Sequence, residues 1–125
     1  MKFYELEIDS KTYKLRLTSS NAVALEKKTG VKILDLVQDY SVTTILTVLE
    51  YMCKNEENNN QFSSKEASSL YDKLVDNGYT MYDIVFKVIY EGLVAGGFLT
   101  HEELEEMTEN ANAKKENLKE EALEK

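Results

Sequence analysis

The sequence predicts an α+β fold, with an N-terminal β-hairpin packed on a bundle of about four to five helices and a polar, acidic C-terminal helix or tail. Three observations carry this. Residues 3–18 alternate polar and apolar with period two on both sides of a short polar break. From residue 19 onward the apolar spacing becomes helical. The stretch 80–98, TMYDIVFKVIYEGLVAGGF, is apolar nearly all round, as a helix in the middle of a domain should be.

In the first segment Tyr4, Leu6 and Ile8 point one way and Phe3, Glu5 and Glu7 the other. After Asp9-Ser10-Lys11, the apolar positions Tyr13, Leu15 and Leu17 alternate with Lys14, Arg16 and Thr18. That is a hairpin with one buried face, whose Glu5 and Glu7 can meet Lys14 and Arg16 across the wet side. Two strands alone are marginal, so helices must cover the apolar face.

Ser19-Ser20 offers an N-cap to a short helix over residues 21–29, which Gly30 stops. Residues 33–37 read as a further turn or two. Ser41 opens the next helix, with Val42, Ile45, Leu46, Leu49, Met52 and Cys53 as its apolar stripe. Residues 55–61, NEENNNQ, form a polar loop and the expected mobile site. Ser63 with Glu66 is a capping box, and the helix it opens carries Ala67, Leu70, Tyr71, Leu74 and Val75 to Gly78. The short link to residue 80 suggests an antiparallel pair with the helix that follows.

That central helix begins with Thr80 and Asp83 in capping-box positions and ends at Gly96-Gly97. Its charges, Asp83, Lys87 and Glu91, fall four apart and form one narrow stripe of i,i+4 partners. Gly92 marks close approach of another helix. Thr100 with Glu103 opens a last helix, whose sparse apolar positions are Leu104, Met107, Ala111, Leu118, Ala122 and Leu123. We expect a single globular domain over residues 1–107 and an acidic tail over 108–125, partly disordered or helical.

Composition narrows the function. The chain has 125 residues, 42% hydrophobic and 30% charged, which suits one soluble domain. No apolar run approaches the about 20 residues of a membrane span, and the N-terminus lacks a signal-peptide pattern. A net charge of -8 disfavours nucleic-acid backbone binding. The single cysteine, Cys53, fits a reducing cytoplasm and leaves no cysteine-rich metal site. The single histidine, His101, has no second histidine or cysteine to build a nucleophile–base pair with Cys53. Glu102, Glu103, Glu105, Glu106 and Glu109 lack the glycine turn and spaced ligands of a calcium loop, and read as a solvated helix face. Gly92, Gly96 and Gly97 end a helix rather than start one, so they form no phosphate loop. We therefore expect no enzyme, no cofactor and no metal. Eight tyrosines, Tyr51, Tyr71, Tyr79, Tyr82 and Tyr90 among them, suit a protein-contact surface, and equally are common half-buried residues of a small domain.

Three segments taken in order resemble a known family. They are YKLRLT (13–18) with ALEKKTG (24–30) and ILDL (33–36), then TILTVLEYM (44–52), then ASSLYDKLVDNGY (67–79) running into YDIVF (82–86) and the Gly97-Phe98 end. Over about residues 1–100 the chain is similar to the small tail assembly chaperones of long-tailed phages and prophages of Gram-positive bacteria. The resemblance implies a non-virion protein that coats the aggregation-prone tape measure protein and helps recruit tail tube protein during tail morphogenesis. It also implies a longer product made by −1 frameshifting, for which codons of Ala113-Lys114-Lys115 are candidates. A tape measure protein is helix-rich, so we expect a helix-in-groove contact beside the central helix, using Tyr82, Phe86 and Tyr90. Self-association into a homo-oligomer is compatible with exposed tyrosines and an apolar hairpin. Two other readings stay open: a different phage structural or connector protein, and a small cytoplasmic protein-binding regulatory module.

Overall fold

The computed structural model describes residues 2–54 and 61–124, with side chains as far as residue 113. The polar stretch 55–60 and the side chains of Leu118, Ala122 and Leu123 lie outside that set. The architecture is α+β, with the N-terminal hairpin against helices.

Strands β1 (Tyr4–Ile8) and β2 (Lys11–Leu15) pair antiparallel, with Leu6 opposite Tyr13 and Ile8 opposite Lys11. The turn is therefore the two residues Asp9 and Ser10, and Lys11 is already in the ladder. Both turn residues have positive φ, 52° and 65°, the backbone a tight hairpin turn needs. The register sets Glu5 across from Lys14, as expected, but Glu7 faces Thr12. Arg16 does not answer a glutamate: its guanidinium donates to the Lys2 carbonyl at 3.0 Å.

A third strand, β3 (Cys53–Lys54), adds to the far edge of β2, with Cys53 opposite Leu15. This corrects the placement of Cys53 on a helical stripe. Helix α3 (Val42–Met52) ends one residue earlier, and Cys53 turns extended at φ −93° and ψ 148°. The open edge of β2 offers ladder partners that another helical turn would forgo.

Helix α1 (Ser19–Thr29) is capped by Thr18, whose hydroxyl accepts from Asn21 N–H, so it starts earlier than Ser19-Ser20 capping would allow. Asn21 Nδ2 reaches the Tyr51 carbonyl at 2.8 Å and ties α1 to α3. Helix α2 (Ile33–Leu36) is a single turn whose first N–H is taken by Glu26 of α1 at 3.0 Å. Helix α4 (Ser64–Asp76) carries the expected Ser63–Glu66 capping box, and packs chiefly on α3 rather than on the central helix. Asn77, just past its end, donates to Asp9 at 3.3 Å and fastens the hairpin turn.

The central helix is not uniform. It runs as α5 (Met81–Ile84), a π-helical turn (Val85–Ile89) and α6 (Tyr90–Ala95). Tyr90 N–H bonds to Val85 O, five residues back. A π turn holds an extra residue, which changes where the following side chains point. Lys87 still meets Asp83 at 3.6 Å, but Glu91 leaves the expected stripe and pairs with His101 at 3.3 Å. Ile84, Val85, Val88, Ile89, Tyr90 and Leu93 are all buried, so this helix is the middle of the core.

Its end docks backbone to backbone on the segment that leaves β2. Leu17 N–H donates to Gly92 O at 3.2 Å. A Cβ on Gly92 would stand 2.2 Å from Met52 Sδ, and one on Gly96 would stand 2.2 Å from Leu17 O. Gly97, at φ +84°, completes a Schellman motif in which Phe98 N–H bonds to Leu93 O and Gly97 N–H to Val94 O. Helix α7 (His101–Glu124) then runs as one element, opened by Thr100 and Glu103 bonding to each other's N–H groups. Leu104 is buried against the core, with Met107 and Ala111 half-buried beside it.

Candidate functional site

Tyr82, Phe86 and Tyr90 stand four apart on the central helix, and their rings meet in succession across its π turn. They form a ladder of touching rings: Tyr82 and Phe86 lie parallel within 9° at 6.4 Å, and Phe86 meets Tyr90 edge-on at 5.0 Å. Tyr40, from the segment before α3, covers both outer rungs at 5.5 Å from Tyr82 and 6.2 Å from Phe86. Such pairs add about 0.5–1.5 kcal/mol each beyond area burial.

The three rungs differ in depth. Tyr82 is 44% exposed, Phe86 9% and Tyr90 0%. Tyr90 therefore offers a partner nothing directly. Its hydroxyl donates to the Val37 carbonyl at 3.2 Å, and burial, helped by the nearby Tyr40 phenol, pushes its pKa well above the usual tyrosine value. It is the anchor of the ladder, Phe86 the middle and Tyr82 the outward face. Of the other tyrosines named for a contact surface, Tyr51, Tyr71 and Tyr79 are half-buried against the core, leaving Tyr82 as the exposed one.

A groove of about 250 Å³ opens beside the ladder, between the central helix and α7. Tyr82, Asp83, Phe86 and Lys87 form one wall, and Thr108, Ala111 and Asn112 the other. That volume lies below the about 300–1,000 Å³ typical of small-molecule pockets, and suits an inserted side chain better than a cofactor. Asp83 is held in place by the Thr80 N–H at 2.9 Å and by Lys87. The Thr80 backbone bond, with the Thr80 hydroxyl and Lys87 adding to it against a desolvation cost, keeps its carboxyl below the ordinary range.

A second surface was not foreseen. Val23, Val31 and Leu34 are 50%, 39% and 48% exposed, around a shallow depression between α1, α2 and Phe98. The signal was present, since Leu34 falls off the buried Ile33–Leu36 side of its turn, but one helical turn gives periodicity too little length to show it.

The residues weighed for chemistry are held apart. Cys53 is buried at the end of α3, and burial drives its thiol pKa strongly upward. His101 sits at the surface start of α7 on Glu91. Glu103 is spent on the Thr100 cap, while Glu102, Glu105, Glu106 and Glu109 are exposed. Among the described residues no group of three or more His, Cys, Asp or Glu comes together as metal ligands, and no helix is long and apolar enough to cross a membrane. No protein-family model, curated protein or solved structure matches the chain.

Proposed function

We propose that the protein is a phage tail assembly chaperone that binds and solubilises a tape measure protein in the host cytoplasm, and helps recruit tail tube protein. On this reading it is a binding protein and not an enzyme. The observation that carries it is the aromatic groove beside the central helix: a ring ladder fixed at its buried end and open at Tyr82, facing α7. A holding chaperone needs apolar contact surface next to enough charge to keep the complex in solution. The groove supplies the first, and the exposed carboxylates of α7 with a net charge of -8 supply the second. The resemblance read in the order of the segments 13–36, 44–52 and 67–98 is the second support for this reading.

The test is co-expression with the long helix-rich protein encoded downstream. We expect that protein to be soluble only with the chaperone present, and to be lost from solution when Ala111→Trp fills the groove, with thermal melting showing the variant folded. Phe86→Ala and Tyr90→Ala are poor probes, because both side chains are core. A tape-measure-like protein that stays insoluble beside the wild-type chain overturns the reading. So does a gene with no such frame beside it, which would favour a regulatory module.

A further inference from the structure

The sequence holds one Asn-Gly step, Asn77-Gly78, and both residues lie at the surface just past α4. In an open chain such a step is chemically unstable, because glycine has no side chain to shield its amide nitrogen from the asparagine carboxamide. That nitrogen attacks the Asn77 Cγ. The N–Cγ bond forms, the Cγ–Nδ2 bond breaks, and the amide proton leaves with Nδ2 as ammonia. Water then opens the cyclic imide at either carbonyl, giving aspartate or isoaspartate. Solvent water is the sole co-reactant.

The fold holds each reacting group off that path. Gly78 N–H donates to Val75 O at 3.0 Å. Asn77 Nδ2, the leaving group, donates to Lys73 O at 2.7 Å and to Asp9 Oδ1 at 3.3 Å. Ring closure needs the Gly78 nitrogen brought nearly into eclipse with the Asn77 Cβ, and at ψ 14° it stands far round from there. Reaction therefore waits on local opening at the end of α4. We propose that Asn77-Gly78 is a deamidation site locked by the fold, and that its product unfastens the hairpin turn from α4.

The product acts through the loss of Nδ2, the donor in both contacts. A carboxylate at position 77 has no hydrogen to give, so it faces Lys73 O as a second acceptor and Asp9 as a second negative charge. It also stands at the C-terminal end of α4, where the helix dipole opposes it. Lys73 of α4 and Lys11 of the hairpin lie on Tyr13 instead, at 3.4 Å from its hydroxyl and 5.3 Å from its ring centre. Isoaspartate goes further, since its extra backbone methylene disturbs the turn in which Gly78 N–H reaches Val75 O and Tyr79 N–H reaches Leu74 O.

The experiment ages the full chain in mildly alkaline buffer, once folded and once in concentrated guanidinium chloride, and follows residue 77 by peptide mapping and mass spectrometry. Deamidation there should be about tenfold or more slower in the folded chain. Asn77→Asp, standing in for the product, should lower the melting temperature and speed amide exchange at Lys11 beside the turn. Asp9→Asn in that background should recover part of the loss by returning a donor to the pair. Equal rates folded and unfolded, or no reaction at residue 77 in denaturant, overturns the proposal. So does an Asn77→Asp chain as stable as wild type, or a loss that Asp9→Asn leaves wholly unrelieved, since the hairpin would then have no part in it.

Discussion

The Tyr90 hydroxyl donates to the Val37 carbonyl at 3.2 Å, joining the middle of the central helix to the end of α2 inside the core. This is the hydrogen bond on which the aromatic ladder stands. Tyr90→Phe keeps the ring contact and leaves a buried carbonyl unpaired, which costs about 1–2 kcal/mol. Urea unfolding should show that loss with an unchanged denaturant slope. An undiminished midpoint would mean that water replaces the hydroxyl.

Depth along the ladder sets a gradient of cost. Phe86→Ala removes a ring only 9% exposed and should destabilise by about 3 kcal/mol or more. Tyr82→Ala removes a ring 44% exposed that meets Tyr40 and Phe86, and should cost about 1–2 kcal/mol. Equal losses in thermal melts would show that the rings do not differ in burial in solution.

The hairpin turn holds Ser10 at φ 65°, where an L side chain is strained and glycine is not. Ser10→Gly should stabilise the fold by about 0.5–1 kcal/mol, the relief of strain exceeding the extra entropy of the unfolded chain. Asp9 is better left alone, since it receives Asn77. A drop in melting temperature for Ser10→Gly would contradict this turn geometry.

Asp83 links stability to acid. Its folded pKa lies below the ordinary 3.8, chiefly because the Thr80 N–H bonds its carboxylate. A depressed folded value means a contribution complete above the unfolded pKa, about 4, and lost as pH falls through the folded one. NMR titration of the Asp83 carboxyl should give a midpoint under 3.8, and Asp83→Asn should flatten the acid limb of stability against pH. A midpoint at or above that value refutes the capping geometry.

Cys53 is 1% exposed and its thiol pKa is driven up by burial, so little thiolate exists in the folded protein. Labelling by a thiol reagent at neutral pH should proceed only as fast as the chain unfolds. Rapid labelling in native buffer would place β3 elsewhere.

What was legible in the sequence was what neighbours along the chain decide. The Ser63–Glu66, Thr80–Asp83 and Thr100–Glu103 capping pairs each lie three residues apart and formed as read. The hairpin followed from its alternation, and the core helix from its lack of a polar face. Three features were not legible, because partners distant in sequence select them. Cys53 leaves its helix for Leu15, the π turn at Val85–Ile89 has no residue signature, and the depth of Tyr90 depends on Val37. Of the candidate site, the ring contacts of Tyr82, Phe86 and Tyr90 were legible in their four-residue spacing, but not that only the outer end of the ladder reaches the surface.

Gly92 and Gly96 bring the helix against Met52 and the Leu17 carbonyl so closely that neither has room for a Cβ. Met52 is a flexible side chain that can yield, whereas Leu17 O belongs to the main chain and cannot. Gly96 is therefore the fixed point of this docking, whereas position 92 can take a small side chain if Met52 moves aside.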